Sequence, residues 1–383
     1  MEEEVSFEIS VETADLAHIL SFSSSVVEKR NTLPILGHVK MEAKGNRLFL
    51  TATDMDLSIC QEIGAEVKKE GAITVPSQTF SEIVRKISDK TIFMEFINSS
   101  NQLELKTQNC EFNIDTLPAY EFPAMDYFSP QLEFKANAET IATLLECTKF
   151  AISTEETRYN LNGVYLHSIN KNNKNILAAA ATDGHRLSTC ESSLDIDGEF
   201  GVILPRKTVG ELYKMLKDND LADAEAKISV GHNRIMVTCK SLVLISKLIE
   251  GSFPDYKVFL PQSNNNVLVS PSKLLTSVVD RVATVAADKF PAIKVTVMED
   301  QLELDARGEA KGLAHEIIPI DGSNLKYEGN QITIGFNPKY LLDILSAVGD
   351  DEITILFLDG SSPALIKSKN HPGANFVVMP VKV

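Results

Sequence analysis

The sequence predicts an α+β fold of three repeated domains, each with two helices packed on antiparallel sheet. Three observations predict it: an internal period of about 130 residues, an amphipathic helix recurring at that period, and alternating or β-branched runs between the helices. The repeat is legible in Thr74-Val-Pro-Ser-Gln-Thr-Phe-Ser-Glu-Ile-Val-Arg-Lys-Ile87, Ile203-Leu-Pro-Arg-Lys-Thr-Val-Gly-Glu-Leu-Tyr-Lys-Met-Leu216 and Gly335-Phe-Asn-Pro-Lys-Tyr-Leu-Leu-Asp-Ile-Leu-Ser-Ala-Val348. The anchors Pro76, Pro205 and Asn337 lie 129 and 132 residues apart. Positions +4, +7, +8 and +11 from them are Phe80, Ile83, Val84, Ile87, then Val209, Leu212, Tyr213, Leu216, then Leu341, Ile344, Leu345, Val348. All are apolar, and that spacing draws one stripe along an α-helix whose start is marked by proline or Asn-Pro.

The other elements follow in chain order. A second helix opens each unit: Ser10 to about Val27, Asn137 to about Ile152, and Ser270-Pro271 to about Ala286, the last with serine as N-cap and proline in the first turn. Strands are expected at Leu48-Phe-Leu-Thr-Ala and Ile176-Leu-Ala-Ala-Ala, closed by Thr53-Asp54 and Thr182-Asp183, again 129 residues apart. Further strands are Thr91–Ile97, Lys227–Val230 and Glu352–Phe357, broken by turns at Asn98–Asn101, Gly231–Asn233 and Asp359–Ser362. These marks place domains at 1–130, 131–261 and 262–383, the last boundary falling near Pro261-Gln-Ser-Asn-Asn-Asn266.

Composition narrows the class. A hydrophobic content of 44% with 23% charged residues describes a globular chain, and no apolar run reaches bilayer length. The start Met1-Glu2-Glu3-Glu4 is acidic where a signal peptide is basic, so a cytoplasmic protein is expected. Five scattered cysteines without a CxxC pair argue against disulfides and a zinc site.

A net charge of −16 opposes ordinary nucleic-acid binding, yet the charge is unevenly placed. The six helical windows carry 12 Lys/Arg against 9 Asp/Glu, a surplus of 3, so the remainder carries −19. Weakly basic helices on an acidic body suit loose apposition to DNA. A helix is about 10–12 Å across, so six around a circle leave a bore of roughly one helix width, and twelve leave about 25–30 Å, enough for a duplex with hydration. A ring lined by helices therefore needs two chains, most simply a C2 homodimer.

The ordered segments Asn31-Thr-Leu-Pro-Ile-Leu-Gly37, Ala52-Thr-Asp54, Thr116-Leu-Pro-Ala119, Arg158-Tyr-Asn-Leu-Asn-Gly163, Ala181-Thr-Asp-Gly-His-Arg-Leu187, Phe253-Pro-Asp-Tyr256 and Val377-Val-Met-Pro-Val-Lys-Val383 span the chain. On these the sequence resembles the β sliding clamp family, the beta subunit of the bacterial DNA polymerase III. The resemblance implies three clamp-fold domains in a head-to-tail homodimeric ring. It also implies sequence-independent, topological hold on duplex DNA, and a pocket for the polymerase, clamp loader, other polymerases and repair proteins. Carried over, the pocket comprises Leu161, Thr182, Gly184, His185, Arg186, Leu187, Pro254, Ser361, Pro363, Val377, Val378, Met379, Pro380 and Val381. DNA contacts fall on Arg30, Arg85, Tyr159, Arg206 and Lys207, while Glu155 and Asn160 depart from the family pattern. The ring interface falls on Ile83, Phe112 and Ile114 at one edge, and Thr284, Val285 and Phe290 at the other. Val258, Val381 and Val383 also depart, replacing a frequent basic residue, a methionine and a leucine.

Asp183-Gly-His185-Arg186 also admits a hydrolase or lyase reading, with aspartate orienting a histidine base. Against it, Thr-Asp recurs at Thr53-Asp54 without the histidine, so the aspartate reads as structural, and His185 and Arg186 as polar rim contacts. His315-Glu316 lacks the second histidine of HExxH, and no Walker A, GxSxG or GxGxxG occurs. No catalytic residue, metal or cofactor is expected. The run Phe376–Val383 reads either as a last edge strand or as part of a binding surface.

Overall fold

Each helix springs directly from the end of a strand. In the computed structural model, which describes residues 6–28, 33–221, 223–287, 289, 291–308 and 311–383, the helices are α1 (Thr13–Val26), α2 (Ser77–Lys86), α3 (Ala138–Thr148), α4 (Arg206–Leu216), α5 (Ser272–Ala283) and α6 (Pro338–Val348). The strands Glu8–Glu12, Gly71–Pro76, Leu132–Asn137, Gly201–Pro205, Asn266–Pro271 and Ile332–Phe336 lead into them. The expected starts at Ser10 and Ser270-Pro271 are therefore early. Backbone pairing of Ser10–Glu12 with Thr91–Phe93, and of Ser270–Pro271 with Glu352–Ile353, holds those residues extended. Pro271 is the N-cap of α5, and helix begins at Ser272. At α6 the expectation holds: Asn337 Oδ1 accepts from Lys339 N–H, and Pro338 occupies the first turn, where it has no N–H to lose.

The predicted stripe is the buried one. Phe80, Val84, Val209, Leu212, Leu216, Leu341, Ile344, Leu345 and Val348 are buried, and Ile83, Ile87 and Tyr213 half-buried. Each full burial of such a side chain stabilises by about 1.5–3 kcal/mol, which is why these short helices persist.

The chain separates into two compact units, Met1–Ile141 with Gly210–Leu248, and Ala142–Val209 with Ile249–Val383. In the first, a five-stranded sheet runs in the order Glu66–Lys69, Glu8–Glu12, Thr91–Ile97, Gln102–Lys106, Glu111–Asp115. Beside it, an eight-stranded sheet runs Leu132–Asn137, Glu225–Val230, Arg234–Cys239, Leu242–Lys247, Leu57–Gly64, Arg47–Thr53, His38–Lys44, Gly71–Pro76. In the second unit a nine-stranded sheet runs Gly201–Pro205, Gly163–Lys171, Lys174–Thr182, Arg186–Asp195, Ala374–Val378, Ala364–Ser368, Glu352–Phe357, Asn266–Pro271, Lys326–Glu328. A four-stranded sheet runs Gly312–Pro319, Gln301–Gly308, Ile293–Val297, Ile332–Phe336.

The two large sheets each join strands from successive repeats. In one, Leu244 faces Ile59; in the other, Phe376 faces Ser188. Ile59 and Ser188 are separated by the 129-residue period, so the same junction is built twice. Every pairing in these sheets is antiparallel, and no helix among the described residues is long and apolar enough to cross a membrane.

Candidate functional site

The conspicuous site lies in the second unit, where the turn after Thr182 meets the C-terminal strand. Asp183 organises that turn: its Oδ1 accepts from the N–H groups of His185 (2.9 Å) and Arg186 (3.0 Å). Thr182 Oγ1 accepts from Gly184 N–H and donates to Arg186 O (2.6 Å). The same bonds recur a period earlier, where Asp54 Oδ1 accepts from Asp56 and Leu57, and Thr53 Oγ1 from Met55. Both turns need a left-handed residue, supplied by Gly184 (φ 88°) and by Met55 (φ 78°). Short side-chain to backbone bonds of this kind are what aspartate and threonine offer a tight turn. The Thr-Asp repeat is thus a turn device, and with its carboxylate committed to backbone and to Arg186, Asp183 does not orient His185 as a base.

Arg186 differs from its expected place on the rim. It is 8% exposed, with Nε on Asp183 Oδ2 (3.0 Å), Nη1 on Asp343 Oδ2 (2.6 Å) and Nη2 on the Phe150 carbonyl (2.7 Å). Its guanidinium lies 4.6 Å from the Tyr340 ring centroid and 5.3 Å from that of Phe150. A planar donor fork with two carboxylates and aromatic faces is well suited to burial. Arg186 clamps α6 and the Lys149–Ala151 turn to the hairpin, and leaves His185 as the exposed member, its ring stacked toward Tyr340 at 6.2 Å.

The C-terminal strand is interior to its sheet. Ala374–Val378 pairs with Arg186–Cys190 on one side and Ala364–Ile366 on the other, and Phe376, Val377 and Val378 are buried. The edge-strand reading of this run is therefore corrected. A terminal apolar run shows its hydrophobicity in sequence but not how many neighbours it gains. Only beyond it does the chain surface: Met379 is 40% exposed, its N–H bonded to His185 O (2.9 Å), and Val381 N–H is bonded to Gly335 O (2.9 Å).

Leu187 and Val377 share a buried cluster with Ala180, Tyr256 and Leu365, against which Tyr165, Phe253, Leu260 and Leu356 pack half-buried. Leu161 is buried at the end of the Glu156–Leu161 turn, and Pro254 is exposed. Ser361 turns its N–H and hydroxyl to Asp359, whose carboxyl the Ser361 N–H first, and then the hydroxyl, hold below the usual range. Pro363 is half-buried, its carbonyl accepting from Asn264, while Pro380 and Val381 are half-buried beside Met379.

Sequence reasoning missed the pair beneath this surface. His167 Nε2 lies 2.8 Å from Tyr256 Oη, its ring stacked on Tyr165 at 4.2 Å, and Tyr165 in turn stacks on Phe253 at 5.0 Å. Burial lowers the His167 pKa to about 4 and raises that of Tyr256, since both charged forms would lose water. The unfolded chain then binds more protons than the folded one between pH 4 and 6.5, so folded stability is complete above about 6.5 and declines as pH falls toward 4. Acid titration of the melting curve should show that loss, worth up to roughly 3 kcal/mol, and His167→Phe should remove this increment of it. An unchanged acid limb in the variant would contradict the assignment.

The remaining predicted residues are dispersed. Arg85 is exposed at the end of α2, and Tyr159 is 60% exposed. Arg206 N–H bonds the Asn162 carbonyl, setting the start of α4, with Arg206 and Lys207, against the turn that carries Tyr159. Asn160, a departure from pattern, bonds Ser252 O instead. On α5, Lys273 and Arg281 pair with Asp350 and Glu316, which reduces the basic surplus counted on the helices. Ile83 and Phe112 are half-buried and Ile114 is buried. Thr284 is exposed and Val285 half-buried. Arg30 and Phe290 lie outside the described residues.

Fold and site together define a scaffold of repeated α+β domains whose last strand helps to build an apolar surface. Comparison with known proteins specifies the class further. The family models of the DNA polymerase III beta subunit match throughout: the N-terminal domain at residues 7–126, the central domain at 135–255 and the C-terminal domain at 257–382. The beta sliding clamp of Rickettsia felis is 42% identical over 379 residues, covering 97% of this chain and 99% of that one. The clamp of Caulobacter vibrioides is 36% identical over 378 residues, covering 98% and 100%. Among solved structures, the Caulobacter crescentus clamp, with PEG at a proposed beta-motif tethering region, superposes with a TM-score of 0.91 at 35% identity, covering 99% and 100%. The Bartonella birtlesii clamp bound to griselimycin gives 0.91 at 36% identity, with 99% and 100% covered. The chain belongs to the DNA polymerase III beta-subunit family, the bacterial sliding clamps, a non-catalytic class of polymerase subunit.

Proposed function

We propose that two copies of this chain close head to tail into a ring around duplex DNA and tether the replicative polymerase to it. The observation that carries this reading is the pair of sheet ends left over by the repeat. The junction between repeats is made twice within the chain, by Leu242–Lys247 on Leu57–Gly64 and by Ala374–Val378 on Arg186–Asp195. The corresponding third partners, Glu111–Asp115 and Gly312–Pro319, are end strands of their sheets. An unpaired edge invites a strand, and joining these two edges between copies makes the same junction a third time, so that every repeat is joined to the next. The internal register sets Phe112 opposite Ala314 and Ile114 opposite Gly312. Leu313 and Ile317, 76% and 50% exposed, extend the edge beyond the predicted Thr284, Val285 and Phe290. The three domains of each copy are 1–130, 131–261 and 262–383.

Duplex DNA is held topologically and without sequence preference, with Arg30, Arg85, Tyr159, Arg206 and Lys207 as the contacts. The surface formed by Leu161, Thr182, Gly184, His185, Arg186, Leu187, Pro254, Ser361, Pro363 and Val377–Val381 takes short apolar peptides from the polymerase, the clamp loader, other polymerases and repair proteins. The ligands found on the Caulobacter and Bartonella clamps support a binding surface in this family. Such a protein works on the chromosome in the cytoplasm.

The test is DNA topology. After loading onto a nicked circle the protein should remain through gel filtration in high salt, and leave once the circle is cut. On linear duplex it should bind weakly, because few cations are available to neutralise phosphates, and added salt should weaken that binding further. Equal retention on cut and closed DNA would overturn the ring.

A further inference from the structure

We infer that each junction of the ring carries a titratable pair, His315 of one copy with Glu111 of the second, so that the copies hold each other more tightly as pH falls through the histidine range. The pair rests on the strand-joined ring proposed above and adds what governs the joining. In the register that sets Phe112 opposite Ala314, Glu111 stands directly opposite His315. Along Glu111–Asp115, Phe112 and Ile114 turn inward, while Glu111, Asn113 and Asp115 are exposed. Along Gly312–Pro319, Ala314, Glu316 and Ile318 are half-buried, with Glu316 paired to Arg281 of α5, while Leu313, His315 and Ile317 are exposed. A slip of one residue would set the inward side chains of one edge against the outward ones of the other. The register that matches the apolar faces is therefore also the one that brings imidazole to carboxylate.

Both groups reach the edge with bonding capacity left. His315 Nδ1 lies 2.7 Å from Asp305 Oδ1, and Asp305 Oδ2 lies 3.0 Å from the Lys294 ammonium, so a row of charges runs across three paired strands to His315. Nε2 of His315 makes no bond among the described residues. Neither does the Glu111 carboxylate, because Lys106, which stands across from it, is bonded to Glu104 at 2.6 Å. Directly opposed residues of an antiparallel pair hold their Cβ atoms about 5 Å apart, within reach of these two side chains. With Nδ1 given to Asp305 and Nε2 to Glu111, both ring nitrogens donate, which only the imidazolium can do. Ring closure therefore takes up protons wherever the imidazole of the separate chain is neutral, and low pH favours the ring. The other charged groups on this face are Glu303 and Arg307 beside Asp305, Lys311 before the strand, and Glu104, Lys106 and Asp115 of the second copy. His315 is the one histidine among them, and histidine is the side chain that ordinarily changes charge between about pH 5 and 8.

The test is dilution of full-length protein carrying donor and acceptor dyes, with dissociation read by energy transfer at about pH 6 and about pH 8 at one ionic strength. Exposed pairs are individually weak, and the two in a ring should together raise the wild-type Kd about tenfold from the lower pH to the higher. His315→Gln, which stays polar without titrating, and Glu111→Gln should each remove most of that change while sharing the rest of the chain's charge. Melting at the wild-type temperature shows that both variants are folded. A wild-type profile retained in His315→Gln overturns the pair, and one retained in Glu111→Gln assigns the effect to Asp305 alone and overturns it equally. Failure of the ring reads differently. A monomeric wild type, or a dimer that survives Phe112→Asp, removes the strand-joined ring, whereas a dimer that Phe112→Asp disperses but whose Kd is independent of pH removes only this pair.

Discussion

A chain carrying Phe112→Asp should sediment as a monomer of 42.1 kDa, where the wild type sediments at about twice that mass. In the proposed ring Phe112 faces Ala314 of the second copy, one strand position from Leu313 and two from Glu316. A carboxylate there would be desolvated without a partner, which costs about 3–5 kcal/mol, so the dimer should loosen by this measure: a rise of roughly two to four orders of magnitude in Kd. Ala314→Asp on the opposite edge should do the same. Because Phe112 is half-buried, folding of the variant is checked by circular dichroism and melting. The combination Phe112→Lys with Ala314→Asp places opposite charges face to face and should restore the dimer, which a merely misfolded edge would not allow. Both single variants should also lose retention on circular DNA. A stable dimer in either single variant would remove the strand-paired ring.

Deleting Met379–Val383 should cost the folded chain only about 1–3 kcal/mol, while weakening an apolar polymerase-derived peptide by about thirtyfold or more. The small stability term follows from what the segment holds: two backbone bonds, to His185 and Gly335, and the packing of Val383 against Gly335. The strand before it remains paired on both sides, so the sheet is intact. The large binding term follows from Met379, an exposed, adaptable apolar side chain beside the exposed His185, since few residues carry most of the affinity of such a surface. Fluorescence anisotropy of labelled peptide on the wild type and the truncated protein, with scattering to confirm the dimer, measures both. Unchanged affinity in a truncated dimer would move the peptide site elsewhere.

Arg186 belongs to a different layer of the same site. Its bonds to Asp183, Asp343 and the Phe150 carbonyl fix the hairpin that presents His185 and meets the C-terminal strand. It positions the surface from below, and the exposed contacts fall to its neighbour in sequence.

The helices and the repeat were legible along the chain because each is a local property. A stripe at +4, +7, +8 and +11 needs only its own helix and an apolar medium on one side, and nine of the twelve stripe residues are buried where that pattern puts them. Thr91–Ile97 and Glu352–Phe357 were likewise readable as strands to the residue, since alternation and the flanking turns lie within the segment. The Thr-Asp turns belong here too, because their bonds reach only two to four residues.

What the chain could not disclose are relations between distant segments. Ser10–Glu12 and Ser270–Pro271 have the composition of helix starts, and only their partners at Thr91–Phe93 and Glu352–Ile353 make them strand. The C-terminal run is apolar whether it lies at an edge or in the interior, and the choice is made by two neighbours, one of them nearly two hundred residues away. Arg186 and the pair of His167 with Tyr256 are of the same kind: each side chain is unremarkable among its sequence neighbours. Strand pairing and side-chain clusters draw their energy from groups brought together by the whole fold, so tertiary packing alone decides which surfaces are covered and which remain to bind.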